Sequence, residues 1–217
     1  MIPFHRPYPL GLEERAHINH RMFKTLSSGM LSNDKYVRRL ENNIKYIYNA
    51  KYCIATNSCT FGLMMCIKYL DPLSIQVPAF TWYSDLYLLK FLDINIIWRD
   101  IDPDTWLMKE HNHVTSLYVH TFGNIGKSIM PHTIYDASHC LGANIPDLGL
   151  ATVFSLAPTK TITACDGGII LTNDNGLYRQ IKEWRDKMGR MSEPNAIIGL
   201  EIFKITFYVS RILWYTK

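Results

Sequence analysis

From residue 50 onward the chain alternates short β-rich apolar runs with longer stretches whose apolar residues recur every three or four positions. The short runs predict strands at 52–55, 75–77, 94–98, 116–121, 133–135, 152–155 and 168–172, and the longer ones predict helices at 60–69, 83–92, 175–188 and 196–214. Strands and helices in alternation point to an α/β layer on a largely parallel sheet. Ahead of that layer, the same spacing predicts helices at 12–26 and 35–48, with Ser27-Ser28-Gly29 as a stop for the first and Ser32-Asn33-Asp34 as N-cap chemistry for the second. Residues 2–9 carry Pro3, Pro7 and Pro9, which exclude a helix and predict an extended arm.

Two connections are short for this architecture. Residues 106–113 and 123–132 leave little room for a helical crossover, so either the sheet is partly mixed there or the crossovers are loops.

Composition narrows the picture. The 217 residues, 47% of them hydrophobic, suffice for one sizeable core and predict one domain. A net charge of +4 comes from Lys and Arg spread along the chain, which suits anionic small molecules and lacks the clustered basic face of a nucleic-acid binder. Five cysteines form no C-x-x-C pair and follow no secretory signal, so they read as buried reduced thiols of a cytoplasmic protein. The most apolar stretch, 196–215, is interrupted by Glu201, Lys204 and Arg211, which favours a packed helix over a spanning one.

Chemistry concentrates in three places. In the first, Ile134-Tyr135-Asp136-Ala137-Ser138-His139 is followed by Phe154-Ser155-Leu156-Ala157-Pro158-Thr159-Lys160 and then Cys165-Asp166-Gly167-Gly168, so a strand ends in a carboxylate and a lysine comes 24 positions later. Taken singly, Asp136 suits a helix cap and Lys160 a surface lysine. The second is Ser58-Cys59-Thr60-Phe61-Gly62-Leu63, a polar turn opening a helix; it can be plain N-capping or an anion site built from backbone N–H groups. The third is Val77-Pro78-Ala79-Phe80-Thr81-Trp82, whose tryptophan can be core or a stacking surface.

In this order the three segments resemble the central pattern of the DegT-type sugar-nucleotide aminotransferases, pyridoxal-phosphate (PLP) enzymes of fold type I. The likeness extends over roughly residues 2–190 and includes Leu31-Ser32-Asn33, the Asp100–Thr105 run and His120-Thr121-Phe122-Gly123. It implies a three-layer α/β sandwich with a mainly parallel central sheet. By the resemblance, Lys160 would carry PLP as a Schiff base and Asp136 would keep the ring nitrogen protonated. Ser155, Ser58, Cys59 and Thr60 would bind the phosphate, with Cys59 where the family has glycine. Trp82 would stack on the ring, and His139 would support the cofactor or Asp136. A related branch replaces the lysine with histidine and dehydrates its sugar, so Lys160 points to amino transfer, from an amino acid such as glutamate to a keto-sugar nucleotide in surface-polysaccharide or amino-sugar biosynthesis. A homodimer is implied as well.

The chain departs from the pattern in two respects. Asp85 stands where Ser or Thr is more usual, and the family's C-terminal small domain has no counterpart beyond one apolar helix. The expected organisation is an arm and first helix at 1–30, the PLP-binding domain at 31–190 and the apolar helix at 191–217. A second reading follows: a reduced PLP-binding or partner-binding homologue without turnover, docking through Phe203, Phe207 and Trp214 on one helix face. Gly123–Ser128 lacks the first glycine of a P-loop, and the histidines at 17, 20, 111 and 113 lack the further ligands of a metal site.

Overall fold

The computed structural model describes residues 10–109, 115–126 and 132–215, with side chains in the last helix described as far as Thr206. The expected arm at 2–9 and the side chains of Phe207 and Trp214 lie outside the described residues. Two helices lead the chain, α1 (Leu12–Ser28) and α2 (Lys35–Ile47). Then follow β1 (Tyr52–Thr56), α3 (Cys59–Leu70), β2 (Ser74–Pro78), α4 (Tyr83–Phe91) and β3 (Asn95–Arg99). The second half consists of β4 (Ser116–Val119), β5 (Thr133–Asp136), β6 (Ala151–Ser155), β7 (Gly168–Thr172), α5 (Asn175–Met188) and α6 (Glu193–Tyr215).

The strands form one seven-stranded sheet in the order β1-β7-β6-β5-β4-β2-β3. All its pairings are parallel except those of β7, which runs antiparallel to both β1 and β6. Because successive side chains in a strand point to opposite faces, Cys53 and Ala55 enter one core while Ile54 enters the other, and Phe154 and Val153 divide likewise. Helices α1, α2 and α6 supply the apolar partners on the first face, and α3, α4 and α5 those on the second. Sheet strands covered on both sides must be apolar at nearly every position, which is why they appear as continuous runs. The three-layer sandwich with a mainly parallel sheet is therefore as expected.

The described parts of both short connections contain no crossover α-helix, and the strands they join share one direction. Between β3 and β4 the chain folds back on itself through a bridge of Ile101 with Met108, with Asp102 N–H donating to Leu107 O at 2.9 Å. After β4 it enters a short 3₁₀ turn, Thr121–Gly123, so Thr121 is not the strand residue the sequence suggests. The mixed pairing arises instead at β7.

The start of α2 corrects a second expectation. Asp34 occupies the N-cap but makes no side-chain capping bond and pairs with Arg38 instead. The cap comes from the far end of the chain: the buried Glu193 carboxylate accepts from the N–H groups of Asp34, Tyr36 and Val37 at 2.8, 2.7 and 3.1 Å. The first helix stops as expected, on Gly29 in the left-handed conformation with φ 71°. Phe203 packs into the core with Ile202 and Leu200. Of the cysteines, Cys53, Cys59, Cys66 and Cys140 are buried thiols, but Cys165 is exposed, contrary to the sequence expectation: it lies on a bend of the loop before β7, at a positive φ of 64°, outside the packed layers. Among the described residues no helix is long and apolar enough to cross a membrane.

Candidate active site

Strands β2, β4, β5 and β6 run in one direction, and β1, twice reversed through β7, runs with them. Their carboxyl ends therefore share one edge of the sheet, where ligands of open α/β folds bind. Every segment that carries chemistry in the sequence leaves a strand at that edge. Ser58 follows β1, Thr81 and Trp82 follow β2, Asp136 ends β5 and Ser155 ends β6.

Lys160 lies in the loop joining β6 to β7, whose antiparallel pairing returns the chain to the same edge. The loop is held from within. Lys160 N–H donates to Ala157 O at 3.0 Å, Ala164 N–H and the Thr163 hydroxyl donate to Leu156 O at 2.9 and 3.0 Å, and Leu156 N–H donates to Gly167 O at 2.9 Å. The Ser155 hydroxyl accepts from Ala157 N–H at 3.2 Å. Ser155, Lys160 and His139 line one cavity together with Phe122, Ser138 and Thr159.

Asp136 sits below that cavity and is only 4% exposed. Its Oδ1 accepts from Ser138 N–H at 2.9 Å and from the Ser138 hydroxyl, and that hydroxyl lies 3.3 Å from Cys59 Sγ. Burial, reinforced by the Asp136 charge, pushes the Cys59 thiol well above its ordinary value, so it stays neutral. Burial also pulls the His139 imidazole below its ordinary value, the nearby Lys160 charge adding to the effect and Asp136 opposing it. A neutral imidazole stacked on Phe122, centroids 6.1 Å apart, forms one wall. Phe122 is held there in a left-handed backbone conformation, φ 53°.

At the head of α3, Ser58 caps the helix by accepting from Phe61 N–H at 3.1 Å. The capping leaves the N–H groups of Cys59 and Thr60 directed out of the helix end, as in the first turn of any helix, where an anion finds donors and a favourable dipole. Strand β7 runs against this turn at Gly168. A Cβ there would meet Ser58 O at 2.5 Å and Cys59 N at 2.7 Å. Gly168→Ala is expected to force the turn and strand apart at a cost of about 1–3 kcal/mol, seen as a lowered denaturation midpoint and weaker retention of an anion at the α3 terminus.

Of the residues singled out from the sequence, Lys160, Ser155 and His139 meet at the cavity, Asp136 and Cys59 join it through Ser138, and Ser58 and Thr60 lie at the adjoining helix end. Trp82 stands apart from the cavity wall, 64% exposed, and tilts against Tyr83. Sequence reasoning missed Ser138, although its position two residues after a strand-end aspartate is that of an Asx turn. Phe122 gave no signal, because a positive φ at an aromatic residue is set by packing.

A family model, that of the DegT/DnrJ/EryC1/StrS aminotransferase family, matches residues 13–196. Solved structures give the same picture. The structure of DesI in the presence of its TDP-sugar product superposes with a TM-score of 0.80 at 24% identity, over 92% of this chain and 59% of that one. That of Helicobacter pylori PseC, an aminotransferase involved in the biosynthesis of pseudoaminic acid, gives 0.80 at 18% identity, over 93% and 65%. NtdA from Bacillus subtilis with bound cofactor PMP gives 0.78 at 22%, over 94% and 57%. The chain spans about three-fifths of the length of these structures.

Proposed function

The chain belongs to the PLP-dependent DegT/DnrJ/EryC1/StrS aminotransferase family, and from that membership we propose that it holds PLP on Lys160 and moves an amino group from an amino acid to a keto-sugar carried on a nucleotide. The observation that carries the reading is the convergence of an amine, a buried carboxyl and an open helix N-terminus, on Lys160, Asp136 and α3, at one edge of the sheet. These residues fit the cofactor by their chemistry: an amine for its aldehyde, a buried carboxyl for its ring nitrogen, and a serine hydroxyl with a helix N-terminus for its phosphate.

When bound, PLP supplies an aldehyde carbon that holds the transferred nitrogen and a pyridinium ring that withdraws electrons from the adjacent carbon. The protein does the rest. Asp136, fixed by Ser138, is the carboxyl that would hold the proton of the ring nitrogen. Ser155 and the N–H groups of Cys59 and Thr60 hold the phosphate. Lys160 Nζ would anchor the cofactor and, once released from it, would be the base that holds and returns a proton. His139, kept neutral, and Phe122 form an aromatic wall of the cavity that would exclude water from it.

Glutamate as donor, a nucleotide-linked sugar as acceptor and a role in surface-polysaccharide or amino-sugar synthesis complete the reading; the TDP-sugar product in the DesI structure supports the acceptor class. A homodimer is also part of the reading and would cover the exposed aromatic cluster of Phe80, Trp106 and Phe122, the last of which lines the cavity. One alternative is a PLP binder without turnover, which the position of Trp82 favours, since the residue expected to stack on the ring stands apart from the cavity wall. Titration with PLP is expected to produce a visible absorption band, which glutamate then converts to that of the pyridoxamine form. A colourless mixture overturns the cofactor reading, and a band that glutamate leaves unchanged selects the binder.

A further inference from the structure

Asp85 is the most deeply buried carboxyl near the site: it is 1% exposed, and neither the family pattern nor the steps above use it. It lies in the first turn of α4, with β3 and β4 between it and the strand that Asp136 ends, and the fold brings the two side chains into interaction. The Thr81 hydroxyl donates to Asp85 Oδ2 at 2.5 Å, which leaves Oδ1 as the buried atom without a partner.

A bare carboxylate oxygen in that position is costly, and two carboxylates in contact cannot both be ionised. A proton on Oδ1 resolves both difficulties, since it turns the orphaned acceptor into a donor aimed at its neighbour. Burial pushes Asp85 well above the ordinary carboxylate range, the Asp136 charge and hydrogen bond push it further, and the Thr81 hydroxyl pulls the other way. The groups facing the pair are Thr81 from the β2–α4 turn, Ser138, His139 and the Cys140 thiol from the segment after β5, and the neutral Cys59 thiol from α3, with the Lys160 amine near Cys59 and His139.

We infer that Asp85 and Asp136 form a buried carboxyl pair with one proton between them, held by Asp85, and that Asp85 is the positioning residue which orients Asp136 towards the ring nitrogen of the cofactor. Ser138 holds Asp136 through Oδ1, and with Asp85 as its second partner a polar series would run from Thr81 through both acids and Ser138 to Cys59 at the head of α3. A threonine at position 85 could not reach as far. The orienting role rests on the PLP reading, whereas the pair itself does not.

The test uses the full chain, first without cofactor. An infrared difference spectrum of wild type minus Asp85→Asn at pH 7 is expected to contain the carbonyl stretch of a protonated carboxylic acid. In PLP titrations Asp85→Asn, whose amide donates from the same place, should bind within about threefold of wild type, while Asp85→Leu binds about tenfold more weakly, the equivalent of one hydrogen bond. Absence of the acid band overturns the pair. Equal affinities for the two variants, whether both normal or both weak, overturn the orienting role, because a purely structural defect would not be rescued by asparagine alone. If wild type binds no PLP, the cofactor reading falls and takes the orienting role with it, while the acid band still decides the pair.

Discussion

Lys160→Ala is expected to abolish the visible absorption acquired with PLP and to lower amino transfer by about a hundredfold to ten-thousandfold, the range for losing a positioned proton carrier. The loss has two parts. Without the amine the cofactor is held by its phosphate and ring contacts alone, and no other amine stands among the described residues that line the cavity. The protein itself should be undisturbed. Lys160 is half-buried, and the turn that presents it is closed by its backbone N–H, which alanine retains. Its denaturation midpoint should therefore stay within the small range of surface substitutions, about 0.5 kcal/mol. Absorption titration and a coupled glutamate assay read the first effect, and thermal denaturation the second. A variant that stays yellow would remove Lys160 from its proposed place.

Arg185→Met carries the largest expected cost to stability, about 3–5 kcal/mol, because it leaves a buried charge without its partner. Arg185, 4% exposed on α5, donates from Nη1 to Glu41 Oε1 and to Ala55 O, both at 3.1 Å. Glu41 in turn accepts from Ala55 N–H at 2.8 Å, so one ion pair ties α2 and α5 to β1. The Nε lies 2.8 Å from Asp186 Oδ1 without hydrogen-bond alignment, so the link to Glu41 is the one that matters. Burial already raises Glu41 above the ordinary carboxylate range, against the pull of Ala55 N–H and Arg185.

Removing the guanidinium raises it further, and the pH dependence follows from that direction. A carboxyl that holds its proton more tightly folded than unfolded contributes stability that is complete below the unfolded value, about 3.9–4.3, and is lost as pH rises through the folded one. The deficit of Arg185→Met is thus expected to be smallest in acid and to grow towards neutrality, as urea denaturation across that range would record. A deficit independent of pH would mean that the pair contributes packing alone. Since Ala55 precedes the turn that opens α3, the same variant should also loosen the anion-binding end of the site.

The course of the chain was legible because its signals are local. Apolar runs covered on both faces mark the strands, three- and four-residue spacing marks the helices, and the order carboxylate, serine, lysine marks the chemistry from Asp136 through Ser155 to Lys160. Where local chemistry and tertiary structure competed, the local reading failed. Asp34 looks like a cap, but Glu193, 159 residues away, takes its acceptor role. Cys165 looks like another buried thiol but sits on a loop bend.

Length, alternation and motif order thus determined, without coordinates, a single α/β layer with an amine and a carboxylate at the ends of its strands. Only the tertiary structure decided that β7 is reversed, which returns the Lys160 loop to the edge where Asp136 ends. It alone decided that Asp85, 51 positions from Asp136, would be buried beside the site with one carboxyl oxygen held by Thr81. Periodicity fixes which face of an element a side chain occupies, whereas the register between strands distant in sequence fixes which faces meet, and that register is set by the packing of the whole sheet.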